Sequence, residues 1–333
     1  MRPGRWGPTQ THRPSRLSAG GHSCLPTWPV RRQIGFPAPE GGCDPMNDPS
    51  PLLELLDRPE LDRPVLLMAM QGWVDAGGAA MACREALLSG SGNSLIARFD
   101  TDRLLDHRTR RPTVDLVNGV SRGIKWPLIQ VHLLERRGGS DLLLLDGPEP
   151  DHEWRLFSAA VVDLCRTLGA QMVIGLGAYP AAVPHTRPTR LACTAGSEDL
   201  TRELDFVTST LSVPAGIQAV IEVDAAAAGI QAVGVWAQVP HYLAAASYPP
   251  ASLTLLEALS TLSGALLDTG SLPERTLATR ARLDELVARN PEHVTMLEQL
   301  EAAYDDLHDP GGRLPTGEDL AAELERFLRA RED

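Results

Sequence analysis

Two apolar runs of strand length, each followed by a turn rich in Gly or Pro, constrain the fold of this chain more than any other sequence feature. The first, residues 65–70 (VLLMAM), leads into residues 72–79 (GWVDAGGA). The second, residues 172–177 (MVIGLG), leads into residues 184–188 (PHTRP), roughly one hundred residues further on. A continuous apolar run of this length indicates a strand that is buried on both faces. In α/β proteins, the turns at such strand ends carry the ligand-facing side chains.

Further strand and helix patterns alternate along the chain. Residues 78–88 and 151–167 have the pattern of helices, and Asp151 is the predicted N-cap of the second. Additional strands are predicted at residues 95–99, 128–134 and 142–145. This alternation predicts an α/β protein whose mostly parallel sheet is covered by helices on both faces.

Composition divides the chain into three parts. Residues 1–45 hold eight prolines and six arginines but only two acids. This composition predicts either a disordered N-terminal extension or, as we prefer, a mis-called one, in which case Met46 is the true initiator. Residues 46–270 form the predicted α/β domain. Residues 271–333 are charged and rich in helix formers. They predict a C-terminal helical extension: two helices separated at Asn290-Pro291, and a last helix over roughly residues 317–331.

Charge and composition exclude several classes of function. The formal net charge is -12 and Lys125 is the only lysine, so the chain lacks the clustered basic residues that bind nucleic acid. No apolar run reaches the roughly 18 residues that a membrane span requires. The five cysteines and nine histidines do not have the spacing of a disulfide framework or a metal site. We therefore predict a cytoplasmic protein with no metal and no nucleic-acid or membrane partner.

The turn after the first strand matches the spacing of a phosphate-binding loop but not its chemistry. Residues 72–77 fit G-x-x-x-x-G, whereas Gly78-Ala79 stands where Lys-Ser/Thr would supply the groups that bind phosphate and magnesium. Asp75 also adds a negative charge that repels phosphate. The alternative is a tight strand-to-helix turn whose glycines permit unusual φ angles and close packing, with Asp75 capping the next helix. The N-terminus of that helix could still bind a smaller anion.

The turn after the second strand carries the other candidate groups. His185, Thr186 and Arg187 supply an imidazole, a hydroxyl and a guanidinium, which could bind a carboxylate or phosphate, with Arg187 donating two parallel hydrogen bonds. The alternative is a fixed loop, held by its two prolines, whose polar groups satisfy the neighbouring backbone. His241 also follows a strand, so it is expected at the same edge of the sheet, as part of this site or as an ordinary loop histidine.

No catalytic constellation is evident. Three acids and a histidine cluster in residues 147–154 (GPEPDHEW), where the dipole of the following helix explains the acids more simply than acid–base catalysis does. The G-x-S-x-G motif of serine hydrolases is absent from the sequence. We therefore assign no catalytic residue and no cofactor.

Taken in order, these segments resemble the proteasome assembly chaperone 2 family in its actinobacterial branch. The resemblance spans roughly residues 63–268 and is carried by GWVDAGGA (72–79), Trp126-Pro127, GPEP (147–150) with Trp154, GLG (175–177), PHTRP (184–188) and VPHY (239–242). It implies an oligomeric protein with a three-layer α/β/α sandwich similar to nucleoside phosphorylases. Eukaryotic and archaeal relatives are chaperones that bind proteasome α-subunits, some through a C-terminal hydrophobic-Tyr-any tripeptide. This chain departs there, because it ends in Arg331-Glu332-Asp333.

The function expected from this resemblance is that of a non-enzymatic assembly or protein-interaction factor. It would be a homo-oligomer that needs no cofactor and has proteasome α-subunits as a possible partner. The alternative is a small-molecule binding protein or an enzyme, either phosphorylase-like or, following a label also given to bacterial members, carboxylate-amine ligase-like. Its pocket would lie at the strand ends and be lined by Asp75, Gly77, Gly78, His185, Thr186, Arg187 and His241.

Overall fold

The computed structural model describes residues 50–308, except for residue 73 and residues 90–91, 136–137, 198–199, 201–209 and 211. The predicted N-terminal extension and the predicted helix over residues 317–331 lie outside the described residues. The predicted domain boundary at residue 270 stays a prediction.

The described strands form one large mixed sheet and one separate hairpin. Their bounds are β1 (Leu53–Leu55), β2 (Val65–Gln71), β3 (Ser94–Phe99), β4 (Thr113–Val117), β5 (Val120–Lys125), β6 (Gln130–Leu133), β7 (Leu142–Pro148), β8 (Met172–Ala181), β9 (Leu191–Ala195) and β10 (Gln231–Pro240). The large sheet has the order β1-β3-β6-β7-β2-β8-β10-β9. Its central strands β7, β2, β8 and β10 are mutually parallel, and the strands on both flanks pair antiparallel.

Strand β2 shows why the apolar run at residues 65–70 folds as a central strand. Successive side chains of a strand point to opposite faces of the sheet. Leu66 and Met68 accordingly enter one core cluster, whereas Leu67 and Ala69 enter the other. All four are almost completely buried. A strand with apolar residues at every position therefore needs a covering layer on each face.

Helices supply both layers. The described helices are α1 (Ala79–Leu88), α2 (Thr101–Leu104), α3 (Trp154–Leu168), α4 (Ile217–Ala227), α5 (Pro249–Ser263), α6 (Leu272–Ala288) and α7 (Pro291–His308). Helices α3 and α4 pack on each other and fill the core cluster on one face. Helices α1 and α5 do the same on the other face, where α6 packs against α5. The predicted α/β/α sandwich is confirmed.

The C-terminal helical extension is also confirmed over its described part. Helix α6 ends at Ala288 and α7 begins at Pro291, so the chain breaks where Asn290-Pro291 predicts a break. The side chain of Asn290 accepts a hydrogen bond from the backbone N–H of Glu292 at 3.0 Å, which caps the start of α7. Helix α7 packs on α6.

Strands β4 and β5 form a hairpin that the sequence analysis did not predict. Its turn is Asn118-Gly119, and both residues have positive φ (52° and 77°), as a two-residue hairpin turn of type I′ requires. The hairpin makes a two-stranded sheet of its own, apart from the large sheet. We call residues 107–126, which comprise the hairpin and its flanks, the arm.

The predicted role of Asp151 as a helix N-cap is wrong. Helix α3 begins at Trp154, and the residue before it, Glu153, makes no side-chain cap. The carboxylate of Asp151 instead accepts a hydrogen bond from the backbone N–H of Asp106 at 2.8 Å and pairs with Arg110. Asp151 therefore fastens the base of the arm to the turn after β7.

Among the described helices, none is both long enough and apolar enough to cross a membrane.

Candidate functional site

The parallel centre of the sheet brings four loops to one edge. Strands β2, β7, β8 and β10 all end there, because parallel neighbours share their direction. The turn with Asp75 follows β2, Glu149 follows β7, His185 follows β8 and His241 follows β10. The expectation that these loops lie at one edge of the sheet therefore agrees with the strand order.

The turn after β2 places Asp75 at the N-terminus of α1. Its carboxylate accepts hydrogen bonds from the backbone N–H groups of Ala80 at 2.8 Å and Met81 at 3.1 Å. Burial raises the pKa of Asp75, and these N–H groups lower it by a smaller amount. The cationic end of the helix dipole, which could otherwise bind an anion, is thus taken by the chain's own carboxylate. This agrees with the interpretation of the motif as a capped turn.

Gly77 and Gly78 give this turn its shape, with φ angles of 66° and 61°. The N–H of Gly77 donates to the carbonyl of Ala244 at 2.8 Å, and its carbonyl accepts from the N–H of Tyr248 at 3.0 Å. A Cβ atom on Gly77 would lie only 2.8 Å from the Cβ of Tyr248, whereas one on Gly78 would meet nothing within 4 Å. Gly77 therefore allows the turn after β2 to pack against the segment that follows β10.

His185 is completely buried and joins two parts of the chain. Its backbone N–H donates to the hydroxyl of Tyr242 at 3.0 Å, and its Nδ1 lies 2.7 Å from the same hydroxyl. Its Nε2 lies 3.2 Å from Oδ1 of Asp284 on α6. Burial raises the pKa of Tyr242 to about 12, so this hydroxyl keeps its proton and can donate a hydrogen bond to Nδ1. The tautomer that carries its proton on Nε2 can accept from Tyr242 and donate to the carboxylate of Asp284.

Thr186 and Arg187 bind carboxylates of α7. Arg187 donates from Nε and Nη2 to the two oxygens of Asp305 at 2.8 and 2.6 Å, and from Nη1 to Glu301 at 3.1 Å. The hydroxyl of Thr186 donates to Glu301 as well. The hydrogen bonds to Asp305 raise the pKa of Arg187, and the guanidinium in turn lowers the pKa of Asp305. Arg187 thus donates two parallel hydrogen bonds to a carboxylate of the same chain.

His241 is exposed, and Tyr242 contacts both His241 and the buried His185. The rings of His241 and Tyr242 meet edge to face with centroids 5.4 Å apart, and Tyr242 meets His185 in the same way at 6.0 Å. The structure therefore brings His185, Thr186, Arg187 and His241 into one group, while Asp75 is turned towards α1. None of the seven predicted residues lines the cavity around Leu87 or the one around Ala226. That these residues bind a ligand stays a prediction.

The acids of residues 147–154 have structural partners. The carboxylate of Glu149 accepts the backbone N–H of Ile217 at 2.5 Å, so it caps α4 across the sheet edge. Glu153 accepts two hydrogen bonds from Arg103 at 2.8 and 2.9 Å. Within the described residues, no group of three or more His, Cys, Asp or Glu side chains is arranged to hold a metal ion.

Sequence reasoning missed four residues that complete this site. Tyr242 belongs to the VPHY segment, but nothing local indicates that its hydroxyl reaches His185. Asp284, Glu301 and Asp305 lie 99 to 118 residues from their partners. The only local signal is the spacing of Glu301 and Asp305, which puts two carboxylates four residues apart on one helix face.

Comparison with known proteins identifies the family. A family model described as the PAC2 family matches residues 69–287. The chain belongs to the PAC2 family. The predicted resemblance is confirmed, and the match includes the loop at residues 184–188 together with Asp284. It ends before α7, so the carboxylates that hold Arg187 lie outside the part of this PAC2 protein that the family model matches.

Solved structures include several actinobacterial relatives. The PAC2 chain is 32% identical to a Mycobacterium tuberculosis protein of unknown function, with a TM-score of 0.74, over 86% of this chain and 98% of that chain. It is 30% identical to a protein of unknown function from Corynebacterium glutamicum ATCC 13032, with a TM-score of 0.73, over 78% and 99%. It is 28% identical to a proteasome-assembly chaperone homologue of M. tuberculosis, with a TM-score of 0.64, over 70% and 99%. A comparison with curated proteins gives no match.

Proposed function

We propose that this PAC2 protein is a non-enzymatic, cytoplasmic assembly factor that binds itself and, where its host has them, proteasome α-subunits. Membership of the PAC2 family supports the proposal. So does the 28% identity to a protein described as a proteasome-assembly chaperone homologue, of which this chain covers 99%.

The observation that carries the proposal is that carboxylates of the same chain bind the polar side chains of the loop after β8. Its imidazole, hydroxyl and guanidinium each contact a carboxylate of α6 or α7. Because the chain's own carboxylates already bind these polar groups, the loop is not free to bind a small anion, which supports a non-enzymatic role. Tyr242, His185 and Asp284 do line up as hydroxyl, imidazole and carboxylate, but His185 has no exposed surface through which a substrate could reach it. This burial supports a structural role for the three groups.

The proposed partner contact uses the folded surface of the PAC2 domain. Native mass spectrometry of the full chain mixed with α-subunits of its host tests the proposal. We expect a complex of the two proteins, and an equal amount of complex when the last three residues are deleted. If the α-subunits remain unbound at concentrations of tens of micromolar, the proposal is wrong.

The competing hypothesis is a small-molecule site at the strand ends, as in a phosphorylase or a carboxylate-amine ligase. It would require a ligand anion to replace Glu301 and Asp305 on Arg187. Under our proposal, neither phosphate nor acetate raises the melting temperature of the full chain. An increase that Arg187→Ala abolishes would favour the small-molecule site instead, through the linkage between binding and stability.

A further inference from the structure

Helix α7 (Pro291–His308) is attached to the rest of the protein with little burial. It packs on α6, but none of its side chains at residues 291–306 is fully buried. None of these residues belongs to either hydrophobic core cluster, whereas α6 contributes Leu272. Because burial of apolar surface is the dominant stabilising term in folding, the polar contacts of α7 largely decide whether it stays docked.

These polar contacts are made with three consecutive residues of the loop after β8, residues 186–188, which we call the clasp. Arg187 binds two carboxylates of α7, and the hydroxyl of Tyr304 donates to the carbonyl of Pro188 at 3.1 Å. Water reaches the ion pair, since the side chain of Arg187 is 31% exposed and that of Asp305 is 55% exposed. Exposed ion pairs contribute little stability each, and salt weakens them. The contact is therefore specific in geometry but modest in strength.

The connection between α6 and α7 allows α7 to leave the clasp as an intact helix. Only residues 289–290 separate the two helices. The side chain of Asn290 caps the N–H of Glu292, and its backbone carbonyl accepts the N–H of Val294 at 3.1 Å. This cap does not involve the clasp. A change in the backbone angles of residues 289–290 would thus release α7 without unfolding it.

The face of α7 that meets the clasp indicates what kind of partner the clasp fits. Glu301 and Asp305 lie four residues apart and therefore share one face of the helix. A helix of another protein with two carboxylates at this spacing can make the same contacts. A small anion would have to compete alone with a tethered helix whose effective concentration is on the order of millimolar or higher. A partner protein has further contacts that add to those at the clasp.

We propose that α7 is a displaceable latch. In the free chain it covers the clasp, and an acidic helix of a partner protein, with carboxylates four residues apart, takes its place. The family match agrees with this division, because it includes the clasp and ends at residue 287, before α7. The inference rests on the proposed function in one respect, namely that this chain binds another protein.

A fluorescein-labelled peptide with the sequence of residues 291–308 tests the latch by fluorescence anisotropy with the full chain. It should bind the native chain weakly, because the tethered helix competes with it. Glu301→Gln combined with Asp305→Asn weakens the tethered helix and leaves the clasp unchanged. We expect the peptide to bind this double variant at least about tenfold more tightly than the native chain. Adding Arg187→Ala to the double variant should remove that gain.

The matched control is a peptide that carries the same two substitutions, which should gain no affinity for the double variant. Equal binding of the unaltered peptide to the native chain and to the double variant, including no binding to either, would overturn the proposal. So would a gain that persists after Arg187→Ala.

A second measurement uses the native chain, so it does not depend on how a variant folds. Raising the NaCl concentration from about 0.05 to about 0.5 M screens the ion pairs of the clasp. Amide hydrogen exchange in residues 291–308 should then become at least about threefold faster. Helix α3 is the internal control, because eight of its 15 residues are buried, and its exchange should not change. Equal responses of α3 and α7 to salt would contradict the latch.

Binding to α-subunits separates this inference from the proposed function. If the peptide prefers the double variant as expected while the native chain ignores α-subunits, the latch stands and the proposed partner is wrong. If α-subunits bind the native chain and the double variant equally well and the peptide shows no preference, the proposed function stands and the latch is wrong.

Discussion

Replacing Gly77 with alanine separates the two physical reasons for glycine in the turn after β2. Gly77 and Gly78 both have φ near +60°, so an alanine at either position meets the same backbone cost, about 1–2 kcal/mol. The space around them differs. A Cβ atom at residue 77 would lie 2.8 Å from the Cβ of Tyr248 and 3.3 Å from Cγ1 of Val239, whereas one at residue 78 would point into open space.

The surroundings of Gly77 cannot yield easily. Tyr248 and Val239 are both buried in the core cluster beside α1, and Tyr248 is also held by its backbone hydrogen bond to Gly77. Overpacking a filled core costs a further 1–3 kcal/mol, roughly. We therefore expect Gly78→Ala to lower the free energy of unfolding by about 1–2 kcal/mol and Gly77→Ala by about 2–5 kcal/mol.

Urea unfolding followed by circular dichroism measures both variants under identical conditions. The difference between them isolates the packing of the turn against Tyr248, since the backbone cost is common to both. Equal losses of stability, within about 0.5 kcal/mol, would refute the account of Gly77 as a packing glycine. The same result would reopen the interpretation of residues 72–79 as a loop that binds a ligand.

Two further predictions concern charged groups. Arg187→Ala should speed amide hydrogen exchange in residues 291–308, because it releases Asp305 and Glu301, whereas Arg289→Ala, which removes a 3.6 Å pair with Glu285, should not. Burial raises the pKa of Glu222 to about 7 from 4.5, so its neutral form is favoured in the folded state. The contribution of neutral Glu222 to the free energy of unfolding is therefore fully present below pH 4.5. It is lost as the pH rises through about 7, and the total loss is on the order of 3 kcal/mol. Urea midpoints at pH 5 and pH 8 should differ less in Glu222→Gln than in the native chain, and an unchanged difference would contradict this assignment.

The sequence predicts those parts of the fold that local chemistry determines. Residues 65–70 are apolar at every position, which indicates a central strand, and Asn290-Pro291 correctly predicts the break between α6 and α7. The type I′ signal Asn118-Gly119 was present as well. The flanking strands are short and bury almost nothing, so no strong apolar pattern predicts strands on either side of this turn.

The candidate site could be predicted only in part. The strand ends indicate that the loops with His185 and His241 share an edge, and the residue types indicate that Arg187 could bind a carboxylate or a phosphate. The identity of that carboxylate depends on how α7 folds back over the sheet edge, which joins residues 118 positions apart. No local pattern encodes that distance, because an acidic helix face is equally consistent with simple exposure to water.

The most direct test of the proposed assembly function is the rate at which proteasome α-subunits of the host form rings or half-proteasomes in the presence of this chain. Native gel electrophoresis over time follows the assembly, with and without the full chain, and with the last three residues deleted. We predict that rings or half-proteasomes form faster when the full chain is present. Deleting its last three residues should not change that rate. Assembly at the same rate with and without the chain would contradict the account.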